Sequence, residues 1–391
     1  MRQWRRAILA LIYINFCVAY IHSESSVGLS HELHVARSAG QRQEHRLKIL
    51  IYSRAFRPSI GGLETMMEIL AEEFTAAGHQ VKVATRVASE AERNNDYDVV
   101  RLPTLKSCVQ LLRWSDVCLC ANVSLRGLVP MMIAGTPLVM SHHGTYGSPN
   151  RFSILPEVKK AVTRFSNNIC CSEAVQSHIP GRSVVIPNTY RSDVFREYSD
   201  VSRDLDIVFV GRLVSDKGVA DLIDALGQLA QTGFRPRLSI VGDGPERSAI
   251  TTRVRELALE QQVTFTGIKR GSELARFIAR HRVMAVPSRW AEPFGIVALE
   301  GIACGCAVVG TSLGGLPEAI GPCGLTVPNA DPGAMARALK SLLENDSMRA
   351  NYRCCAPLHL ARHARANVAQ SYLKVLAAAR GVGTKALHSM H

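Results

Sequence analysis

The 391-residue sequence is poor in several features that would mark other classes of protein. Aromatic residues make up only 6%, and no nucleic-acid motif accompanies them, so a base-stacking DNA or RNA reader is not indicated. No stretch reaches the ~20 apolar residues that a helix needs to cross a bilayer. The run 7–21, interrupted by Asn15, falls short of that length. Eleven cysteines are present, yet none forms a C-x-x-C pair with zinc-like spacing. Their odd number, with no disulfide framework, points to a reducing compartment. No G-x-G-x-x-G follows the first apolar run, which argues against a standard dinucleotide site.

Acidic residues are the scarcer charge, 33 against 46 Lys and Arg, for a net +13. Such an excess favours a polyanionic partner: nucleic acid, an anionic membrane surface or a phosphorylated small molecule. From Ser347 to His391 there is no acid at all, while Arg349, Arg353, Arg362, Arg365, Lys374, Arg380 and Lys385 fall there. That segment reads either as a solvated helical face or as a surface resting on anionic lipid headgroups. Apolar residues at 47% and charged residues at 20% exclude disorder and fibrous repeats.

Residues 1–46 form a leader. Arg2, Arg5 and Arg6 precede the apolar segment 7–21, and Ser23 and Ser25 follow it. Three readings stand: a secretory signal, a membrane-associating segment, or residues added by an upstream start codon. The cysteine usage favours the two non-secreted ones, with the protein in the cytosol or on the inner face of the cytoplasmic membrane.

From Leu47 onward, short apolar runs alternate with helical patterns in two series. Leu47–Ser53, Val81–Thr85, Val99–Leu102, Val117–Cys120 and Leu138–Ser141 read as strands, and Leu63–Ala77 as a helix closed by Gly78. The second series begins at Asp206–Val210 and includes helices at 219–231, at 245–259 opened by Pro245, at 272–281 capped by Ser272, at 296–303 and at 331–343. The expected organisation is a domain at 47–187, a linker at 188–205, a second domain at 206–364, and a closing helix with a basic tail at 365–391. Continuous apolar strands interleaved with helices imply two doubly wound α/β domains, Rossmann-like, facing each other across a cleft.

Chemistry concentrates where strands give way to helices. Gly61-Gly62 opens the first helix, where backbone N–H groups can approach a phosphate. Arg212 and Lys217 share the loop Gly211–Gly218, and two cations before a helix can grip a diphosphate and neutralise a leaving group. Pro287–Gly295 leads into a helix containing Glu300. Glu292 and Glu300 lie eight apart and can face one cleft, with the N–H groups of Phe294, Gly295 and Ile296 aimed at an anion.

This set of motifs closely resembles retaining glycosyltransferases of family 4. It comprises Gly211-Arg212-Leu213 with Asp216-Lys217-Gly218, and Glu292-Pro293-Phe294-Gly295 with seven residues between Glu292 and Glu300. Gly61-Gly62, Ser172-Glu173, Ile186-Pro187-Asn188, and Thr311 with Gly314-Gly315 and Glu318 extend it. The resemblance implies the GT-B fold, with the donor in the second domain. It implies that Arg212 and Lys217 bind the donor diphosphate and that Glu292 faces the anomeric centre. Phe294, Gly295 and Ile296 would offer backbone contacts, Glu300 would hold the ribose, and Gly61 and Gly62 would approach the phosphates from the first domain. Base contacts are expected near 266–268.

A histidine of that family contacts the sugar after the strand here read at 138–141. His142 and His143 both qualify, with His143 first because Gly144 follows it. The implied partners are a nucleotide-diphosphate sugar and a glycan, lipid-linked or small-molecule acceptor, in polysaccharide or glycolipid biosynthesis. No cofactor or metal is expected. Asp96-Tyr97-Asp98 and Asp204-Leu205-Asp206 stand before strands rather than after them, so neither D-x-D triplet is placed to hold one. The rival readings are another GT-B enzyme, such as an epimerase or a phosphorylase, and a catalytically idle nucleotide-sugar-binding or scaffold subunit.

Overall fold

A computed structural model describes residues 46–59, 61–89, 96–144, 146 and 155–381. Residues 1–45 of the leader, with its apolar segment, and Lys385 lie outside these.

Among the described residues, β1 (Lys48–Ser53), β2 (Gln80–Thr85), β3 (Asp98–Arg101), β4 (Val117–Ala121), β5 (Leu138–His142), β6 (Asn167–Cys170) and β7 (Ser183–Val185) form a seven-stranded sheet. Its order is β3-β2-β1-β4-β5-β6-β7, and every pairing is parallel. A second sheet has six strands: β8 (Leu205–Val210), β9 (Leu238–Val241), β10 (Val263–Gly267), β11 (His281–Val286), β12 (Ala307–Thr311) and β13 (Gly324–Val327). Its order is β10-β9-β8-β11-β12-β13, again parallel throughout. Helices cover the faces, so central strands are buried on both sides. Ile49 and Ile51 of β1 sit level with Val81 and Val83 on one flank and with Val117 and Leu119 on the other. That burial explains why the strands read as continuous apolar runs rather than alternating ones. Two Rossmann-like domains are therefore shown.

Strand order reverses between β1 and β4 and between β8 and β11, and a doubly wound sheet binds ligands outside the carboxyl ends of such strands. The loops that carry Gly61-Gly62, Arg212 with Lys217, and Glu292 leave β1, β8 and β11 at those ends.

Two helix starts differ from the sequence expectation. Pro245 stays in a turn and the helix runs Arg247–Glu256, because Glu246 N–H bonds back to Leu213 O over 3.0 Å. The next helix, Gly271–Ala279, takes Arg270 rather than Ser272 as its cap, in an extended conformation.

The closing helix, Arg365–Ala379, returns to the first domain. Val368, Ala369, Tyr372 and Leu376 are buried in one core with Ile49, Ile51, Met66 and Val139. Burial of each larger side chain there is worth about 1.5–3 kcal/mol. Ion pairs fasten its start. Arg365 reaches Glu72, Glu73 and Asp193 at 2.6, 2.9 and 2.9 Å, and Arg191 reaches Glu72 and Asp193 at 3.0 and 2.9 Å.

Within the acid-free terminus several cations have structural partners. Arg349 is buried against Asp346 and the carbonyl oxygens of Leu342 and Leu343, and Arg380 pairs with Asp116 at 3.0 Å. With Arg365, three of its cations serve the fold itself. The ten described cysteines are all free thiols. Among the described residues no helix is long and apolar enough to cross a membrane.

Candidate functional site

The loop after β8 carries both cations. Arg212 is exposed and has no ion-pair partner among the described residues. Lys217, five positions on, is instead ion-paired with Glu292 Oε1. Ser288 Oγ donates to the same oxygen over 2.8 Å, so one carboxylate oxygen is held twice while Oε2 has no hydrogen-bond partner among the described residues.

The backbone around Glu292 is propped by motifs for which the sequence supplied no role. Thr311 Oγ1 donates to Ser288 O over 2.8 Å, and Gly315 N–H donates to Glu292 O over 2.7 Å, next to an isolated bridge between Glu292 and Gly314. The helix Ile296–Ala303 then starts without any side-chain cap, so its first N–H groups are available to an anion. Gly295 precedes it at φ 98°, a left-handed conformation that favours glycine. Phe294 is buried, its ring centroid 5.5 Å from that of His363, which leaves only its backbone toward the helix start.

The first domain reaches this loop directly. A Cβ on Gly62 would lie 3.3 Å from Ile296 Cδ1, so the absence of a side chain permits the approach of the two helix starts. Ser172 Oγ donates to Pro293 O over 2.6 Å. Glu318 accepts from the N–H groups of Glu173 at 3.0 Å and Ala174 at 3.4 Å. Ser172-Glu173 and Gly314–Glu318 are thus one contact between the domains, seated behind Glu292.

Glu300 lies one turn into its helix and is half-buried, with no hydrogen-bond partner among the described residues. Burial pushes its carboxyl up to about 8, so it is largely protonated at neutral pH. Thr266 and Gly267 end β10, where Thr266 Oγ1 donates to Ile240 O over 3.3 Å, and Ile268 just beyond the strand is exposed.

The structure distinguishes the two histidines. Tyr146 O–H accepts from Val123 N–H over 2.9 Å and so donates to His142 Nδ1 over 2.6 Å, while His142 Nε2–H donates to Asn168 Oδ1 over 2.9 Å. Both ring nitrogens of His142 are consumed inside the first domain, and burial lowers its pKa. His143 has Ser141 Oγ 2.7 Å from Nε2, but Nδ1 is buried without a hydrogen-bond partner. Burial, with His142 beside it, pushes His143 down to about 3.

The two D-x-D triplets occupy the opposite ends of the sheets. Asp98 begins β3. Asp204 precedes β8 and pairs with Arg280 at 2.6 Å, and Asp206 pairs with Arg282 at 3.4 Å. Among the described residues no three His, Cys, Asp or Glu are gathered as a cation site.

Residues 204–345 match the family model for Glycosyl transferases group 1. Over 142 residues the chain is 34% identical to glycogen synthase of Mycobacterium tuberculosis, covering 36% of this chain and 34% of that protein. Over 176 residues it is 35% identical to D-inositol 3-phosphate glycosyltransferase of Corynebacterium jeikeium, covering 43% and 42%. The chain thus spans about a third to two fifths of the length of these relatives. Anabaena HepE, solved in complex with UDP and glucose, superposes with a TM-score of 0.72 at 22% identity over 85% of this chain and 100% of that one. WaaG, a glycosyltransferase involved in lipopolysaccharide biosynthesis, superposes at 0.65 and 16% identity over 84% and 99%. Residues 204–345 are therefore similar to the glycosyl transferases group 1 family, and the chain that carries them has the two-domain GT-B fold of these solved structures.

Proposed function

We propose that the protein is a retaining glycosyltransferase that moves a sugar from a nucleotide-diphosphate donor to a glycan, lipid-linked or small-molecule acceptor, in polysaccharide or glycolipid biosynthesis. The observation that carries this reading is Glu292, held by Lys217 and Ser288 beside an uncapped helix start, with unpaired Arg212 on the same loop as Lys217. The relatives' names and the UDP held by HepE support the donor class.

In this reading the donor diphosphate draws Lys217 away from Glu292 and recruits Arg212. The two cations and the helix start then meet the charge that develops on the leaving diphosphate, in a site that needs no reorganisation at that moment. That electrostatic work is what a divalent ion does in other enzymes, so full activity in EDTA is expected, and restoration by Mg²⁺ or Mn²⁺ after its loss would contradict it. Glu292, released at Oε1, hydrogen-bonds the sugar near its anomeric carbon. His143 supplies the neutral imidazole at the sugar, since His142 has no nitrogen to spare. Glu300, protonated when free, can both donate to and accept from ribose hydroxyls.

The same reading places the enzyme in the cytosol, at the inner face of the membrane when the acceptor is lipid-linked. Salt-sensitive sedimentation with anionic vesicles tests that placement. The donor class is tested by a thermal-shift screen of nucleotide sugars, because a ligand that binds only the folded state raises its stability with occupancy. A stabilising nucleoside diphosphate and its sugar conjugate are expected, and no shift with any of them would overturn the reading.

A further inference from the structure

Tyr372 lies on the closing helix, 231 positions from Ser141, yet the two hydroxyl oxygens are 2.8 Å apart. Both residues are fully buried. Each hydroxyl has one hydrogen to give. Ser141 Oγ is the only hydrogen-bond partner of the Tyr372 hydroxyl among the described residues, so Tyr372 donates to it. The reverse arrangement would orphan a phenolic hydrogen in the core, which buried polar groups avoid. Ser141 accepts from Tyr372 with one lone pair, and its own hydrogen has no other partner among the described residues than His143 Nε2, to which it donates over 2.7 Å. A neutral imidazole that accepts at Nε2 must carry its proton on Nδ1.

That Nδ1 is buried without a hydrogen-bond partner, and so is Oδ1 of Asn188, on the connector between the domains. Asn188 lies close enough to His143 to favour its protonation slightly, but no hydrogen bond of acceptable geometry joins them. Nδ1–H is the donor that Asn188 Oδ1 lacks, so the tautomer set by Ser141 presents a hydrogen to Asn188 rather than a second acceptor.

We propose that Tyr372 and Ser141 are positioning residues whose hydroxyl relay fixes His143 as its Nδ1–H tautomer, so that His143 presents a donor to Asn188 on the connector between the domains. The tautomer is a property of the free protein, whereas its effect on turnover rests on the glycosyl-transfer reading. The closing helix is then more than a clasp, because a residue on it sets the polarity of a side chain at the carboxyl end of β5.

The test is the nitrogen spectrum of protein labelled with 15N-histidine, with the His143 signals assigned by their loss in His143→Gln. Wild type is expected to show an unprotonated Nε2 and a protonated Nδ1. Tyr372→Phe and Ser141→Ala should each abolish that single tautomer, and the double variant should add nothing further, while His142 keeps its signals as the control for folding. Wild-type His143 protonated on Nε2, or a tautomer unchanged in Tyr372→Phe, overturns the proposal. In a donor-turnover assay Tyr372→Phe should raise KM for the sugar donor about tenfold, the equivalent of one hydrogen bond, with a smaller effect on kcat. Absence of turnover in wild type would remove the transferase reading while leaving the tautomer readout standing, so the two failures are distinguishable.

Discussion

Lys217 and Glu292 stand 75 positions apart in the chain and meet as an ion pair at the carboxyl edge of the second sheet, with Ser288 Oγ donating to the same carboxylate oxygen over 2.8 Å. The pair makes the two cations of the loop behave differently before any ligand arrives. Lys217→Ala removes a partner from a mostly buried carboxylate and should cost about 1–3 kcal/mol of stability. Arg212→Ala removes an exposed, unpaired side chain and should change stability by less than about 0.5 kcal/mol. Urea unfolding of the two variants checks this without knowledge of the substrate.

Glu300 gives a pH signature. Its carboxyl sits near 8 in the folded protein against 4.5 for the ordinary group, so the folded state holds the proton more tightly than the unfolded one. Stability therefore falls as pH rises through that window. Glu300→Gln mimics the neutral acid and should match wild type near pH 4.5 but melt progressively higher than wild type toward pH 9. Parallel melting curves across the range would contradict the burial argument.

Buried histidines act with the opposite sign. Burial pushes His143 down to about 3 and His281 and His363 down to about 4, and it also lowers His142 and His359. Below pH 6.5 the unfolded chain binds protons that these rings refuse, so their contribution to stability is lost as pH falls from 6.5 toward about 3–4. Melting temperature should drop between pH 7 and pH 5, and replacing His281, whose ring bonds Phe277 O and Ser239 Oγ, should flatten part of that slope.

The contact between domains has its own test. Glu318 accepts the N–H groups of Glu173 and Ala174, and Ser172 donates to Pro293 O. Glu318→Ala combined with Ser172→Ala should loosen this contact and raise the radius of gyration in solution scattering. Donor affinity should fall with it, because the backbone of Pro293 is a neighbour of Glu292.

Much of the site was legible because its backbone is local. A buried strand reads as a short apolar run, and the glycines and prolines that follow mark the turn where a ligand can dock. The short strands β6, β7 and β13 were not legible, since three or four residues with one or two apolar positions do not rise above a loop. Destinations were also hidden. The spacing of Val368, Tyr372 and Leu376 announces an amphipathic helix but not the sheet it covers. The choice between His142 and His143 needed Tyr146 and Asn168, whose bonds to His142 no spacing reveals. The partners of the basic terminus were hidden for a related reason, because the acids that pair with Arg365 and Arg380 lie in the first domain.

The central claim is tested most directly by release of nucleoside diphosphate from a panel of nucleotide sugars, comparing wild type with Glu292→Gln. The substitution keeps the size and an acceptor oxygen at the position held by Ser288 but removes the charge that Lys217 neutralises. Wild type should release diphosphate from at least one donor, and Glu292→Gln should do so about 10²-fold more slowly, as expected when an electrostatic contact to the reacting centre is lost. Equal rates in the two proteins would contradict the account.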